Sequence, residues 1–123
     1  MKIAVIILSD PKGGEEALGR VFNALALASD ARRNGDETEL AFVGAGTRWP
    51  AELSKADHPA HALYASVRPQ VKGASCGCAA VFGASDGVAA CDVPTVTDNP
   101  IAGTPGLLSI RRYLSAGYQV LTF

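Results

Sequence analysis

The chain has 123 residues, of which 48% are apolar and 19% charged, a balance typical of one compact domain over residues 1–123. Its formal net charge of −1 provides no basic surface for DNA or RNA, so we expect no nucleic-acid partner. Three cysteines are an odd number, which argues against a disulfide framework and favours free thiols in the reducing cytoplasm.

The first predicted strand is the apolar run at residues 3–8, which ends at Ser9-Asp10-Pro11. A continuous β-branched run is typical of a strand covered on both faces. This run is too short for a signal sequence or a membrane span, so we expect no membrane partner. A helix over residues 15–33 follows, since acids occupy its first turn and Asn34-Gly35 ends it. Its predicted inward-facing residues are Leu18, Val21, Phe22, Leu25 and Ala28.

The middle of the chain is predicted to contain two further strands, over residues 38–43 and 71–75. Between them, residues 44–50 are rich in glycine and end in Trp49-Pro50, which predicts a long loop. A second helix is expected to begin at Asp57 or His58, with Pro59 in its first turn, and to end before Pro69.

The last part of the chain begins with a short helix over residues 78–82 and a mostly irregular stretch over 84–92. A fourth strand over 94–97 precedes a helix with Thr104 as N-cap and Pro105 in the first position. A fifth strand covers 118–123. This β–α alternation predicts an α/β protein, a three-layer α/β/α sandwich with a five-stranded, mostly parallel sheet.

Two cysteines, Cys76 and Cys78, stand one residue apart directly after the third strand. In a parallel sheet, ligands bind at the carboxyl edge, where the loops that follow the strands meet. A thiol there is close to a helix N-terminus, which favours the reactive thiolate. We expect Lys12 and Arg48, on neighbouring loops, to add positive charge beside it. Core filling is the alternative for cysteines at a strand end, and it is the preferred interpretation for Cys91.

Other chemistries fit the sequence less well. Zinc would need Cys76 and Cys78 together with His58 and His61, but C-x-C is shorter than the usual zinc spacing, so we predict no metal. Lys12 and Gly13 open a helix after a strand and form a candidate anion-binding turn or a tight loop without a ligand. Trp49 is either a lid on the site or, as we prefer, a subunit contact.

Several segments together suggest a known family: the strand Lys2-Ile3-Ala4-Val5-Ile6-Ile7, the Gly-Gly-Glu-Glu start of the long helix, residues 35–42, the cysteine motif and residues 114–120. On these the chain resembles the DsrE/DsrF-like (sulfur-relay, YchN-like) family over nearly its whole length. The resemblance implies a five-stranded α/β/α sandwich, trimers or hexamers, and a persulfide on one cysteine after the third strand. That cysteine corresponds to Cys76 or Cys78. The chain departs from many members in its cysteine doublet and in Phe82-Gly83 where an Arg-Gly is common.

The predicted function is therefore sulfur relay: Cys76 or Cys78 takes sulfane sulfur from a donor protein and passes it to a partner thiol, without a cofactor. The candidate ligand-binding residues beside the thiols are Lys12, Gly13, Arg48 and Trp49. One alternative is a binding or assembly module whose cysteines only line a small-ligand or protein site. Another is a C-x-C disulfide oxidoreductase, which ring strain across one intervening residue disfavours.

Overall fold

The computed structural model describes all residues, Met1–Phe123, and contains a five-stranded sheet in the order β4-β3-β2-β1-β5. Every neighbouring pair of strands is parallel. The strands are β1 (Lys2–Ile7), β2 (Glu37–Phe42), β3 (Val71–Ser75), β4 (Thr95–Val96) and β5 (Gln119–Thr122). The helices are α1 (Gly14–Arg33), α2 (Trp49–Leu53), α3 (His61–Val67), α4 (Cys76–Val81), α5 (Ser85–Ala90) and α6 (Ile110–Ser115). The predicted three-layer α/β sandwich is confirmed.

The two faces of the sheet are covered unequally, and the strand order explains why. From β1 to β4 the chain moves stepwise towards one edge of the sheet, and right-handed crossovers then put all intervening helices on one face. The last connection returns across the sheet to β5, so α6 lies on the opposite face. Accordingly the larger core of 21 buried residues packs under α1–α5, whereas five buried residues form the core under α6.

The long helix α1 is confirmed, but one of its predicted inward residues is not inside. Val21, Leu25 and Ala28 are fully buried against the sheet. Phe22 follows Val21 by one position, a rotation of about 100° around the helix, and its side chain remains 42% exposed.

The predicted loop over residues 44–50 is instead ordered as a 3₁₀ turn, Gly44–Arg48, that continues directly into α2. Proline at the second position of α2 lacks only an N–H that has no partner at a helix start. The next helix, α3, begins at His61 instead of Asp57. The cause is a local turn, in which Nδ1 of His58 accepts the backbone N–H of Ala60 at 3.1 Å.

Two predictions in the last third of the chain are also wrong. The stretch over residues 84–92 contains α5, which sequence pattern alone does not indicate because its only large apolar residue is Val88, buried against the core. Thr104 does not cap a helix: its hydroxyl accepts the N–H of Gly106 at 3.1 Å within a turn. Leu107 then pairs with Asn99, and α6 begins only at Ile110. None of the helices combines the length and the apolar composition that a membrane span requires.

Candidate functional site

Three connections meet at the carboxyl edge of the sheet: the loop after β1, the 3₁₀ turn after β2, and α4 after β3. The turn lies directly on the end of β1 because Gly46 has no side chain. A Cβ atom at this position would be 2.1 Å from the carbonyl oxygen of Ile7. The close approach brings Arg48, at the end of the turn, alongside both the first loop and α4.

The cysteine motif forms the first turn of α4, which begins at Cys76 and not at Cys78 as predicted. Gly77 is buried against the segment that follows β4: its N–H donates to the carbonyl of Gly106 at 2.8 Å. A Cβ at Gly77 would lie 2.5 Å from a methyl carbon of Leu107. Cys76 and Cys78 flank this contact as free thiols, each partly exposed.

The motif also occupies the position where the sheet topology changes direction. After β3 the chain turns to the face that carries α4, whereas after β4 it turns to the face that carries α6. Adjacent strands whose connections diverge leave a crevice at their carboxyl ends, and ligands of open α/β sheets bind there. Here the segment after β4 packs against the end of β3, because the buried hydroxyl of Ser75 accepts the N–H of Leu108 at 3.0 Å.

The two cysteine side chains point in different directions. Positions two apart in an α-helix are separated by about 200° around the axis, so they do not face each other. Cys78 and Phe82 are one helical turn apart and therefore share a face of α4. Cys76 shares its face instead with Ala80, an exposed residue. The helix thus gives the two thiols different surroundings.

Arg48 links the first loop to the end of α4. Its guanidinium donates to Oδ2 of Asp10 at 2.8 Å and, through Nε, to the carbonyl of Phe82 at 3.1 Å. The same group lies over the Phe82 ring, 5.4 Å from its centroid. The predicted cation therefore lies beside the end of α4, over a side chain one helical turn from Cys78, and Asp10 holds it there.

Lys12 lies on a different part of the same edge. Its backbone N–H donates to Oδ1 of Asp10 at 3.0 Å, while its side chain is exposed. Gly13 precedes α1 as its N-cap. Lys12 lines a shallow cleft of about 310 Å³ with Glu52 and His58, and neither cysteine contributes to that cleft. Arg48 thus contacts the end of α4, whereas no hydrogen bond or ion pair joins the Lys12 side chain to that helix.

Trp49 is neither a lid nor an exposed subunit contact, contrary to the expectation. Its side chain is 2% exposed and belongs to the main core. The indole N–H donates to the carbonyl of Ser9 at 2.8 Å, which ties α2 to the loop after β1. Trp49 and Pro50 are the first two residues of α2. The burial of Trp49 holds the preceding 3₁₀ turn in place.

The remaining candidate ligands do not assemble around the cysteines. Nδ1 of His61 lies 2.9 Å from the carbonyl of Leu53, and the His58 ring packs edge-on against Trp49. No group of three or more His, Cys, Asp or Glu side chains is placed to hold a metal ion. Cys91 is half-buried, and its thiol donates to the carbonyl of Pro50 at 3.5 Å, which agrees with the predicted packing role.

Sequence pattern does not identify three residues that organise this edge, namely Gly46, Ser75 and Phe82. The Gly-Ala-Gly run predicts a loop, although a glycine can equally mark a close approach between backbones. Ser75 directly precedes the cysteines, but nothing local shows that its partner lies 33 positions further along the chain. Phe82 stands out in the sequence only as a departure from a family pattern.

No protein-family model and no curated protein matches the sequence. Among solved structures, the fold is similar to that of a conserved protein of unknown function from Bacteroides thetaiotaomicron. The TM-score is 0.61 at 17% sequence identity, over 98% of this chain and 94% of the other. A likeness at this identity establishes the α/β fold alone, since one fold supports many functions.

Proposed function

We propose that the protein is a sulfur-relay protein of the DsrE/DsrF-like type that carries a persulfide on its Cys-Gly-Cys motif. The observation that supports this most is the position of the motif. Two partly exposed free thiols begin α4 at the carboxyl edge of a parallel sheet, directly after β3. The carboxyl edge is where sheets of this class bind their ligands.

The transfer step needs only a thiolate and a sulfane-sulfur donor. The cysteine thiolate attacks the outer sulfur of a donor persulfide R–S–SH, forms a new S–S bond, and releases the donor as R–S⁻. The protein then holds Cys–S–SH. A partner thiolate repeats the exchange in the next step. Atoms and charge balance in each exchange, so no cofactor and no external oxidant or reductant is required.

We propose Cys78 as the carrier. It shares a face of α4 with Phe82, over whose ring Arg48 lies, so an anionic group on that face has a cation nearby. The other thiol is badly oriented to resolve the persulfide, because positions two apart diverge by about 200° around the helix. A disulfide between Cys76 and Cys78 would require the first turn of α4 to unwind, which disfavours the oxidoreductase alternative.

The proposal includes assembly of several copies, as trimers or hexamers, and a reducing cytoplasmic setting with separate donor and acceptor proteins. All three cysteines are free, in keeping with that setting. Val81 on α4 is 75% exposed and Leu114 on α6 is 60% exposed, which gives apolar surface for contacts between copies. Size-exclusion chromatography with light scattering measures the oligomer directly.

Intact-mass spectrometry after incubation with a low-molecular-weight persulfide tests the relay. We expect the wild type to gain the mass of one sulfur atom, reversibly with dithiothreitol, and Cys78→Ser to gain none. Cys76→Ser and Cys91→Ser are the matched controls and should still load. Loading that depends on Cys76 alone would refute the choice of carrier, and no adduct on any variant would refute sulfur relay.

The alternative is a binding module of the same fold, in which the cysteines line a site without carrying sulfur. It predicts no persulfide adduct. A reversible loss of two hydrogens under oxidation would instead indicate the C-x-C disulfide. Intact-mass measurements after these two treatments, persulfide and oxidant, therefore separate all three functions.

A further inference from the structure

A second site lies on the opposite face of the sheet from α1–α5. Here α6 covers only part of the strands and leaves a cavity of about 410 Å³ between the helix and the sheet. Its floor carries charged side chains from neighbouring strands, including Glu39 on β2 and Lys72 on β3. Its volume is within the range of small-molecule sites in proteins. This cavity contains neither cysteine of the motif, so a ligand bound in it is independent of the proposed sulfur chemistry.

Most of the charges around the cavity already have partners within the protein. Arg112 forms an ion pair with Asp98 at the rim. The Lys2 ammonium donates to the carbonyl of Ala116 at 2.9 Å and lies over the Tyr118 ring, 4.6 Å from its centroid. These contacts build the wall of the cavity. They pair the Arg112 charge with an acid, whereas Lys2 has no acidic partner.

Like Lys2, Glu39 and Lys72 take part in none of the protein's ion pairs, and the exposed Lys72 ammonium makes no hydrogen bond within the protein. They belong to adjacent strands, yet the pairing between β2 and β3 is interrupted at this point. Val71 pairs with Leu40 and Gly73 with Ala41, so Lys72 is an extra residue on β3. A bulge of this kind redirects a side chain and is common beside functional sites.

The rest of the cavity provides a neutral donor and an apolar wall. Burial, and after it a hydrogen bond to the neighbouring Glu39 carboxylate, raises the pKa of Tyr113. Its phenol therefore stays protonated and serves as a donor to Glu39, on the side of the cavity where that carboxylate lies. Leu108 and Val96 supply apolar surface beside the charged floor. Buried and partly buried apolar groups of this kind favour a ligand that also has an apolar part.

We propose that this cavity binds an α-amino acid with an apolar side chain. Its ammonium group would pair with Glu39, its carboxylate with Lys72, and its side chain would pack against Leu108. A simple anion fits less well because Glu39 repels it. A simple amine fits less well because Lys2 and Lys72 both repel it. A zwitterion can pair with Glu39 and with Lys72 at once, and hydrogen bonds between two charged groups are stronger than those between neutral groups.

The test is a ¹H–¹⁵N NMR titration with L-leucine and its two singly charged analogues. 3-Methylbutylamine lacks the carboxylate of leucine, and 4-methylpentanoate lacks the ammonium group. We expect leucine to shift the amide resonances of residues 108–118, at the cavity, without shifting those of α4. Each analogue should bind at least tenfold more weakly, because a hydrogen bond to a charged group contributes about 1.5–3 kcal/mol.

Variants identify which side chain recognises which charge. Glu39→Gln should weaken leucine binding about tenfold or more without weakening 4-methylpentanoate, and Lys72→Met should weaken leucine without weakening 3-methylbutylamine. Glu15→Gln and Lys55→Met change the same residue types on exposed parts of the other face and should bind leucine like the wild type. The proposal is overturned if leucine shifts no cavity resonance at about 20 mM, a weak-binding limit. It is also overturned if both analogues bind as well as leucine, or if neither cavity variant changes leucine binding.

Discussion

Replacing Arg48 with methionine tests whether one side chain holds the carboxyl edge of the sheet together. Its guanidinium donates at 2.8 Å to Asp10 and at 3.1 Å to the carbonyl of Phe82, and it lies over the Phe82 ring. Methionine keeps much of the apolar stem but removes every donor. We therefore expect Arg48→Met to destabilise the fold and to loosen α4.

The expected loss in the free energy of unfolding depends on how far each contact of Arg48 is exposed to solvent. The Arg48 and Asp10 side chains are 27% and 35% exposed, so solvent screens the ion pair and limits it to about 0.5 kcal/mol. The hydrogen bond from a charged donor to the Phe82 carbonyl contributes about 1.5 kcal/mol. With a small cation–π contribution, Arg48→Met should lower the free energy of unfolding by about 2 kcal/mol. Asp10→Asn should lower it by less than about 1 kcal/mol, because an amide oxygen still accepts a hydrogen bond.

Urea denaturation measures the free energy of unfolding of these variants. The only tryptophan, Trp49, is buried, so its fluorescence reports unfolding. Arg111→Met, at an exposed arginine of α6, is the matched control and should change stability by less than about 0.5 kcal/mol. An Arg48→Met variant as stable as this control would refute the structural role assigned to Arg48. A variant that loses stability but loads persulfide at the wild-type rate would show that Arg48 supports α4 without assisting the thiol.

Three further outcomes are expected. Gly46→Ala should destabilise the fold by about 3 kcal/mol or more in urea, because its Cβ would lie 2.1 Å from the backbone oxygen of Ile7. Gly19→Ala, in open space on α1, should instead stabilise by up to about 1 kcal/mol; equal effects of the two changes would contradict the close approach at Gly46. The hydrogen bond to Glu37 raises the pKa of Tyr118 to about 12. The folded state then holds the phenolic proton more tightly than the unfolded chain, so this contribution to stability is complete below about pH 10 and disappears as the pH rises through 12. Absorbance titration should show the Tyr118 midpoint move down in Glu37→Gln, and an unchanged midpoint would rule out that hydrogen bond as the cause.

Local sequence pattern predicts an element correctly where one physical cause determines its conformation. The run at residues 3–8 is apolar at every position, which predicts a strand buried on both faces, and β1 is fully buried from Ala4 to Ile7. Acids at the start and Asn34-Gly35 at the end bound α1 to within one residue of its prediction. The position of the cysteine motif after β3 is predicted correctly because the strand and the turn signals adjoin.

Local pattern fails where partners distant in the chain decide the conformation. α5 has weak helix propensity, and it forms because Val88 packs into a core built by other elements. The glycine and proline around Trp49 predict a surface position, but the carbonyl of Ser9, 40 positions earlier, holds its indole inside. Thr104 matches an N-cap pattern, yet its hydroxyl accepts the N–H of Gly106 within a turn. The carbonyl of Gly106 in that turn accepts the N–H of Gly77 on α4.

The α/β class, the succession of strands along the chain and the presence of two thiols at a strand end are all readable from the amino-acid sequence. Hydrophobic periodicity and turn residues are local, and they carry this information without reference to the rest of the molecule. The tertiary structure alone decides that Arg48 contacts the end of α4, that the two thiols diverge around that helix, and that Glu39 and Lys72 line one cavity under α6. Each of these depends on strand order and register, which arise from contacts between residues far apart in the chain.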